Sequence, residues 1–153
     1  MTTTPTRAED MAYGQKNETT TLIILNKVMG QEMYFNGKWD TLDWSNGAKT
    51  IYCELKSRRI SVSKYPTAIL GMNKVNACSD PAKRYIFLYK YDEGLFYIKY
   101  RKSLFDTFEK NMEFKRSDRP DASNNTSPVM YIPNRLLKPI ANFKMCYINP
   151  TPE

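Results

Sequence analysis

Apolar and polar positions alternate with a period of two along much of the middle of this chain, the signature of strands with one buried face. Ile51, Cys53 and Leu55 alternate with Tyr52, Glu54 and Lys56, so Thr50 to Lys56 reads as a strand. Just before it, Tyr34, Trp39, Leu42 and Trp44 lead into the turn signal Ser45-Asn46-Gly47-Ala48, which predicts a β-hairpin. Arg84 to Tyr91 and Leu95 to Arg101 are two aromatic-rich strands joined around Asp92-Glu93-Gly94, a second hairpin. Val129 to Ile132 is a short strand and Asn142 to Ile148 a last one, with a turn or short helix between Pro133 and Pro139.

Helical spacing is confined to two places. From Glu18 to Met29, Leu22, Ile23, Leu25, Val28 and Met29 suit a short amphipathic helix, after a Thr-rich flexible tail over residues 1–16. Ser63 caps a second predicted helix, with Pro66 in its first turn and Ala68, Ile69, Met72 and Val75 on one face, running to about Cys78. Ser103 to Lys110 allows one or two helical turns, and residues 116–128 form a polar loop suited to contacting nucleic acid. The helix after Arg58 has the length of a crossover, so the strands at Thr50 and Arg84 are expected to be parallel neighbours. The fold class is a mixed α/β domain over residues 17–153, with a central mixed sheet flanked by helices and extra C-terminal strands.

Composition narrows the chemistry. The chain has 153 residues, long enough for one well-filled core, and no apolar run near the ~20 residues of a membrane helix. Residues 1–16 contain no apolar signal core, so the expected location is intracellular. Cys53, Cys78 and Cys146 are far apart, odd in number and unaccompanied by any histidine, which argues against a zinc site or a disulfide framework. Without histidine, Ser-His and Cys-His nucleophiles are excluded, and catalysis must run on carboxylates, lysine, tyrosine or an oxygen-bound metal. The net charge of +7 favours a polyanionic partner. Lys56, Arg58, Arg59 and Lys64 cluster, and Arg101, Lys102, Lys115, Arg116 and Arg119 form later groups.

The chemically richest stretch is the strand itself. Tyr52, Glu54 and Lys56 share a face, and a carboxylate with an ammonium two residues on is what metal-assisted phosphodiester hydrolysis needs. A second carboxylate must come from the hairpin partner, as Asp40 or Asp43. A four-residue loop from Gly47 to Thr50 sets Asp43 opposite Glu54, and a five-residue loop from Ser45 to Lys49 sets Asp40 there. The second acidic-x-Lys triplet, Glu113-Phe114-Lys115, lacks this context and reads as surface. Arg58, Arg59 and Lys64 are candidate phosphate contacts, and Asn73 and Lys74 lie on the polar side of the second helix, where they could line a cleft or simply face solvent.

The stretch Asp40-Thr-Leu-Asp43-Trp, then Glu54-Leu-Lys56-Ser-Arg58, then Tyr65-Pro-Thr-Ala-Ile-Leu-Gly-Met-Asn-Lys74 resembles the core of the PD-(D/E)XK (restriction-endonuclease-like) nucleases, particularly small phage and virus members. The resemblance covers roughly residues 18–100. It implies a central mixed sheet of about four core strands flanked by helices. It further implies that Asp43 (or Asp40) and Glu54 bind Mg²⁺ or Mn²⁺, that Lys56 serves the attacking water, and that Glu18 or Glu32 assists from the first helix. The sequence departs from the family pattern in having Trp39 and Leu42, not proline, before the two aspartates. The expected function is a metal-dependent DNA endonuclease, with Lys74 joining Arg58, Arg59 and Lys64 in contacting DNA, no membrane partner, and a homodimer compatible with the role. The alternative is a non-catalytic nucleic-acid-binding or virion structural protein on the same scaffold.

Overall fold

The computed structural model describes residues 6–115 and 127–144. Thr6 accepts a hydrogen bond from the Glu9 backbone N–H at 3.3 Å and starts α1, Arg7–Met29, which ends where Gly30 turns left-handed at φ 65°. The helix therefore begins well inside the stretch expected to be a flexible tail. A Thr-x-x-Glu capping pattern and tertiary packing outweigh the weak propensity of its threonines. Thr21, Leu25 and Met29, spaced four apart, form its buried stripe.

The strands that follow are β1 (Met33–Phe35), β2 (Trp44–Asn46), β3 (Ile51–Ser57) and β4 (Thr67–Gly71), then the short α2 (Met72–Asn76). After these come β5 (Arg84–Tyr91), β6 (Gly94–Lys99), α3 (Lys102–Phe105), β7 (Glu109–Asn111), β8 (Val129–Pro133) and β9 (Lys138–Pro139). Six strands form one mixed sheet in the order β1-β2-β3-β5-β6-β9, and β4-β8-β7 form a second, antiparallel one. The parallel pair is β3 with β5, from Ile51 opposite Arg84 to Ser57 opposite Lys90, as the crossover spacing predicts.

The large sheet divides the interior in two. Ile51, Cys53 and Leu55 pack with Ile86 and Leu88 against Leu25 and Met29 of α1. On the opposite face Tyr85, Phe87 and Tyr89 pack with Ala68, Leu70, Met130 and Ile132 of the small sheet. β5 is thus covered on both sides, which explains its nearly unbroken run of large apolar residues.

The fold is mixed α/β, but the second face is covered mainly by a sheet, where flanking helices were expected. The predicted helix from Ser63 to Cys78 is replaced by β4 and the five-residue α2. β4 pairs with β8 along its whole length, Thr67 opposite Pro133 to Gly71 opposite Val129, which buries Ala68 and Leu70 on one face. That alternation is a strand period, and pairing with a distant strand overrides the local helical pattern. Between Phe35 and Trp44 the expected hairpin arm is a loop, and Trp39 at its tip is 90% exposed. Toward the C-terminus, a 3₁₀ turn covers Ile140–Asn142 and Phe143 packs edge-on against Tyr97 at 4.9 Å, so the last predicted strand is not formed at its start. Its remainder, and residues 116–126 of the predicted polar loop, lie outside the described residues. No described helix is long and apolar enough to cross a membrane.

Candidate active site

Asn46 settles which aspartate meets Glu54. Its Oδ1 accepts from the backbone N–H groups of Thr50 (2.9 Å) and Ile51 (3.0 Å), and its Nδ2 donates to Thr50 Oγ1 at 2.9 Å. This side chain closes a four-residue loop, Gly47 to Thr50, between β2 and β3, in which Lys49 adopts a left-handed φ of 58°. The ladder then runs Ser45 opposite Tyr52 and Trp44 opposite Cys53, so the next position brings Asp43 to Glu54. Asp43 Oδ2 accepts from the Leu55 backbone N–H at 2.9 Å, which fixes the carboxylate at the end of the strand pair. Asp40 is exposed on the loop and lines a neighbouring groove instead.

Glu54 is 2% exposed, at the level of Phe87 on β5. Its Oε2 lies 3.2 Å from Lys56 Nζ and 3.2 Å from Lys74 Nζ. Its Oε1 is buried and has no hydrogen-bond partner. Burial pushes the carboxyl up to about 6; Asp43 adds to the rise, while Lys56 foremost and then Lys74 oppose it. Lys56 is held below the usual lysine range by its own burial, against the pull of Glu54 and with Lys74 and Arg58 adding repulsion. Glu18 enters from α1: its carboxyl is raised by burial and by the charge of Asp43, and lowered by Lys56. Three carboxylates and two ammonium groups therefore act on one another at the end of β3.

Lys74 is the residue whose place the sequence left open. From α2 it reaches Glu54, and the same ammonium donates to the backbone carbonyl of Thr41 on the loop leading to Asp43. Glu32, the other acid considered for the assisting role, is exposed and accepts from the Tyr34 hydroxyl at 3.2 Å. Tyr52 stacks on Tyr85 at 5.7 Å with Lys83 over its ring, a packing role. The phosphate contacts expected from the sequence spread outward. Arg58 is half-buried beyond β3, Arg59 is exposed, and Lys64 is exposed with its ammonium over the Tyr65 ring. Glu113 and Lys115 are both exposed, as the surface reading of the second triplet requires. Cys53 and Cys78 are buried and free, their thiols pushed up by burial, Cys78 to about 12, so neither is an available nucleophile at neutral pH.

A hard divalent cation suits this donor set in chemistry: carboxylate oxygens only, one of them a buried acceptor with nothing bound to it. Among the described residues, no three Asp, Glu or Cys side chains already stand close enough together to hold an ion. Comparison with protein families, curated proteins and solved structures finds no match to this chain.

Proposed function

We propose that this protein is a divalent-metal-dependent DNA endonuclease of the PD-(D/E)XK kind. The observation that carries the reading is the meeting of Asp43, Glu54 and Lys56 on one strand pair, with Glu54 Oε1 buried and unpartnered. The topology supports it as well: an antiparallel run β1-β2-β3, then a crossover to the parallel β5, with the acidic-x-Lys triplet on β3.

In this reading Glu54 and Asp43 hold Mg²⁺ or Mn²⁺, and Glu18 adds negative charge from α1. The cation supplies Lewis-acid stabilisation of charge on the phosphoryl oxygens and acidifies water. Lys56 hydrogen-bonds the attacking water, and its neutral amine form, favoured by the burial that lowers its pKa, accepts the water's proton to become the ammonium. A positioned base contributes roughly 10²- to 10⁴-fold, far less than phosphodiester cleavage requires, so the remainder falls to electrostatic stabilisation. Arg58, Arg59 and Lys64 extend the cationic surface along which the DNA backbone runs.

The test is cleavage of supercoiled plasmid and of a branched DNA by wild type and Glu54→Ala, with Mg²⁺, Mn²⁺ or EDTA. Metal-dependent nicking that disappears in the variant is the expected result; absence of nicking with either metal counts against the enzyme. One observation favours a second reading. Lys56 and Lys74 both contact Glu54, so its charge is already balanced from within, as in a non-catalytic nucleic-acid-binding protein or virion component on the same scaffold. That protein would bind DNA equally well in EDTA and weaken on Arg58→Ala.

A further inference from the structure

The loop between β1 and β2 is built rigidly and ends in an unprotected aromatic ring. At its base the Asn36 backbone N–H donates to the Asp43 carbonyl at 2.9 Å, and Asn36 Nδ2 donates to the Leu42 carbonyl at 3.0 Å. Nearer the tip the Asp40 N–H donates to the Gly37 carbonyl, in a turn that Gly37 permits with φ 111°. Lys74 grips the Thr41 carbonyl from α2. The loop is thus anchored from two sides, and its base is the segment that delivers Asp43. Its tip carries Trp39, 90% exposed, with the Lys38 ammonium 5.1 Å from the ring centroid. Exposing a whole indole to water forfeits burial that the fold offers the other tryptophan, Trp44, which is 2% exposed. Beside the loop runs an open groove of about 530 Å³, lined by Asp40, Thr41, Lys49, Tyr52, Asp80 and Lys83, with the Lys83 ammonium 4.0 Å from Asp80 Oδ2.

We infer that this loop is a nucleic-acid finger in which Trp39 stacks on an unpaired base, while Lys38, Lys49 and Lys83 follow the adjoining phosphates. An indole face accepts any base, but only one that has left the duplex stack. The substrate class is therefore DNA with unpaired nucleotides next to the phosphodiester held at Asp43 and Glu54. The inference deepens the nuclease reading and rests on it for the position of that bond. The stacking itself does not depend on catalysis.

Tryptophan emission tests it directly, because Trp39 is the exposed member of the chain's two tryptophans. The intact protein is titrated in EDTA with a short oligothymidylate and with a blunt duplex of the same length. Single strands quench the emission and the duplex does not. Trp39→Ala abolishes the quenching and weakens single-strand binding roughly tenfold, measured by anisotropy of a labelled oligonucleotide. Trp39→Phe, which keeps an aromatic face, retains most of the affinity. Circular dichroism confirms that both variants are folded. Equal affinity of wild type and Trp39→Ala for single strands overturns the proposal, as does equal quenching by the duplex or quenching by neither DNA. Quenching in EDTA with no cleavage once Mg²⁺ or Mn²⁺ is supplied sinks the nuclease reading and leaves the finger standing; metal-dependent cleavage with no quenching by single strands does the reverse.

Discussion

Glu54 carries its charge in a place that resists it, and the consequence is measurable. Its carboxyl, at about 6 in the folded chain against 4.5 when solvated, takes up a proton on folding between those values. The folded state then binds more protons than the unfolded one, so this residue's contribution to stability falls as pH rises from 4.5 through 6. The shift corresponds to about 2 kcal/mol at neutral pH. Denaturation of wild type and Glu54→Gln in EDTA should show the wild type losing ground to the variant across that window; parallel pH profiles would refute the assignment. Adding Mg²⁺ at pH 7 should raise the wild-type melting temperature, an increase that disappears as pH drops through about 6 and is absent in Glu54→Gln. Lys74 is the second lever. Lys74→Ala removes one of two ammonium groups facing Glu54 and should move its midpoint further up, at a stability cost of about 1–3 kcal/mol. An unchanged midpoint would mean that Lys56 alone balances the charge. Of these residues Glu54 and Lys56 were legible in the sequence, because they lie on a strand whose alternation shows which side chains share a face, whereas Asp43 stood there only as one of two candidates beside Asp40. The grip of Lys74 on Glu54 was not, since α2 is only five residues long and too short to display a periodicity.

Among the elements, the turn between β2 and β3 decides whether the candidate site exists at all. Slipping the pairing by one residue would turn Asp43 to the wrong face. The two lengths that the turn sequence allowed differ in which aspartate they deliver, and a side chain, not the backbone pattern, chooses between them: Asn46 binds the N–H groups of both Thr50 and Ile51. Asn46→Ala should therefore cost about 2–3 kcal/mol by urea denaturation. It should reduce cleavage by more than its effect on the folded fraction accounts for. Asn46→Asp keeps the accepting oxygen and should retain much of both. If Asn46→Ala cleaves like wild type at a temperature where both are folded, the register is held by something else. The same contrast between local and distant causes explains which elements could be read. The β5–β6 hairpin was evident because Asp92 and Glu93 join strands that pair directly, Tyr91 opposite Gly94. Strand β4 reads locally as helix because its partner, β8, lies far along the chain, and Ala68 and Leu70 look apolar under either period. The start of α1 was obscured by threonines, although the Thr6-to-Glu9 cap stood in the sequence as a signal.

Across the whole molecule the large sheet does two jobs, and the chemistry lies where they meet. One face buries the stripe of α1 and the other the small sheet, so a single layer supports two cores. Glu54 and Lys56 emerge on the second face near its margin, which lets Glu18 on one side and Lys74 on the other act on them. The net charge of +7 gains meaning from this arrangement. Lys56 and Lys74 touch Glu54, Lys49 and Lys83 line the groove at the start of β3 together with Asp40 and Asp80, and Arg58 follows the far end of the strand, so cations are spread along the length of β3. Neutralising phosphates along the strand releases counterions, and the logarithm of the affinity should fall linearly with the logarithm of salt concentration. Measured in EDTA, where no cleavage intervenes, Arg58→Ala should lower affinity and flatten that slope by about one counterion. Lys110→Ala, at an exposed position on β7 of the small sheet, should leave the slope nearly unchanged. Equal flattening by both variants would mean that charge is sensed over the molecule as a whole, and the case for a defined DNA track past Glu54 would fail. A steep slope altered by Arg58 alone would place the backbone beside the buried carboxylate, where the nuclease reading requires it.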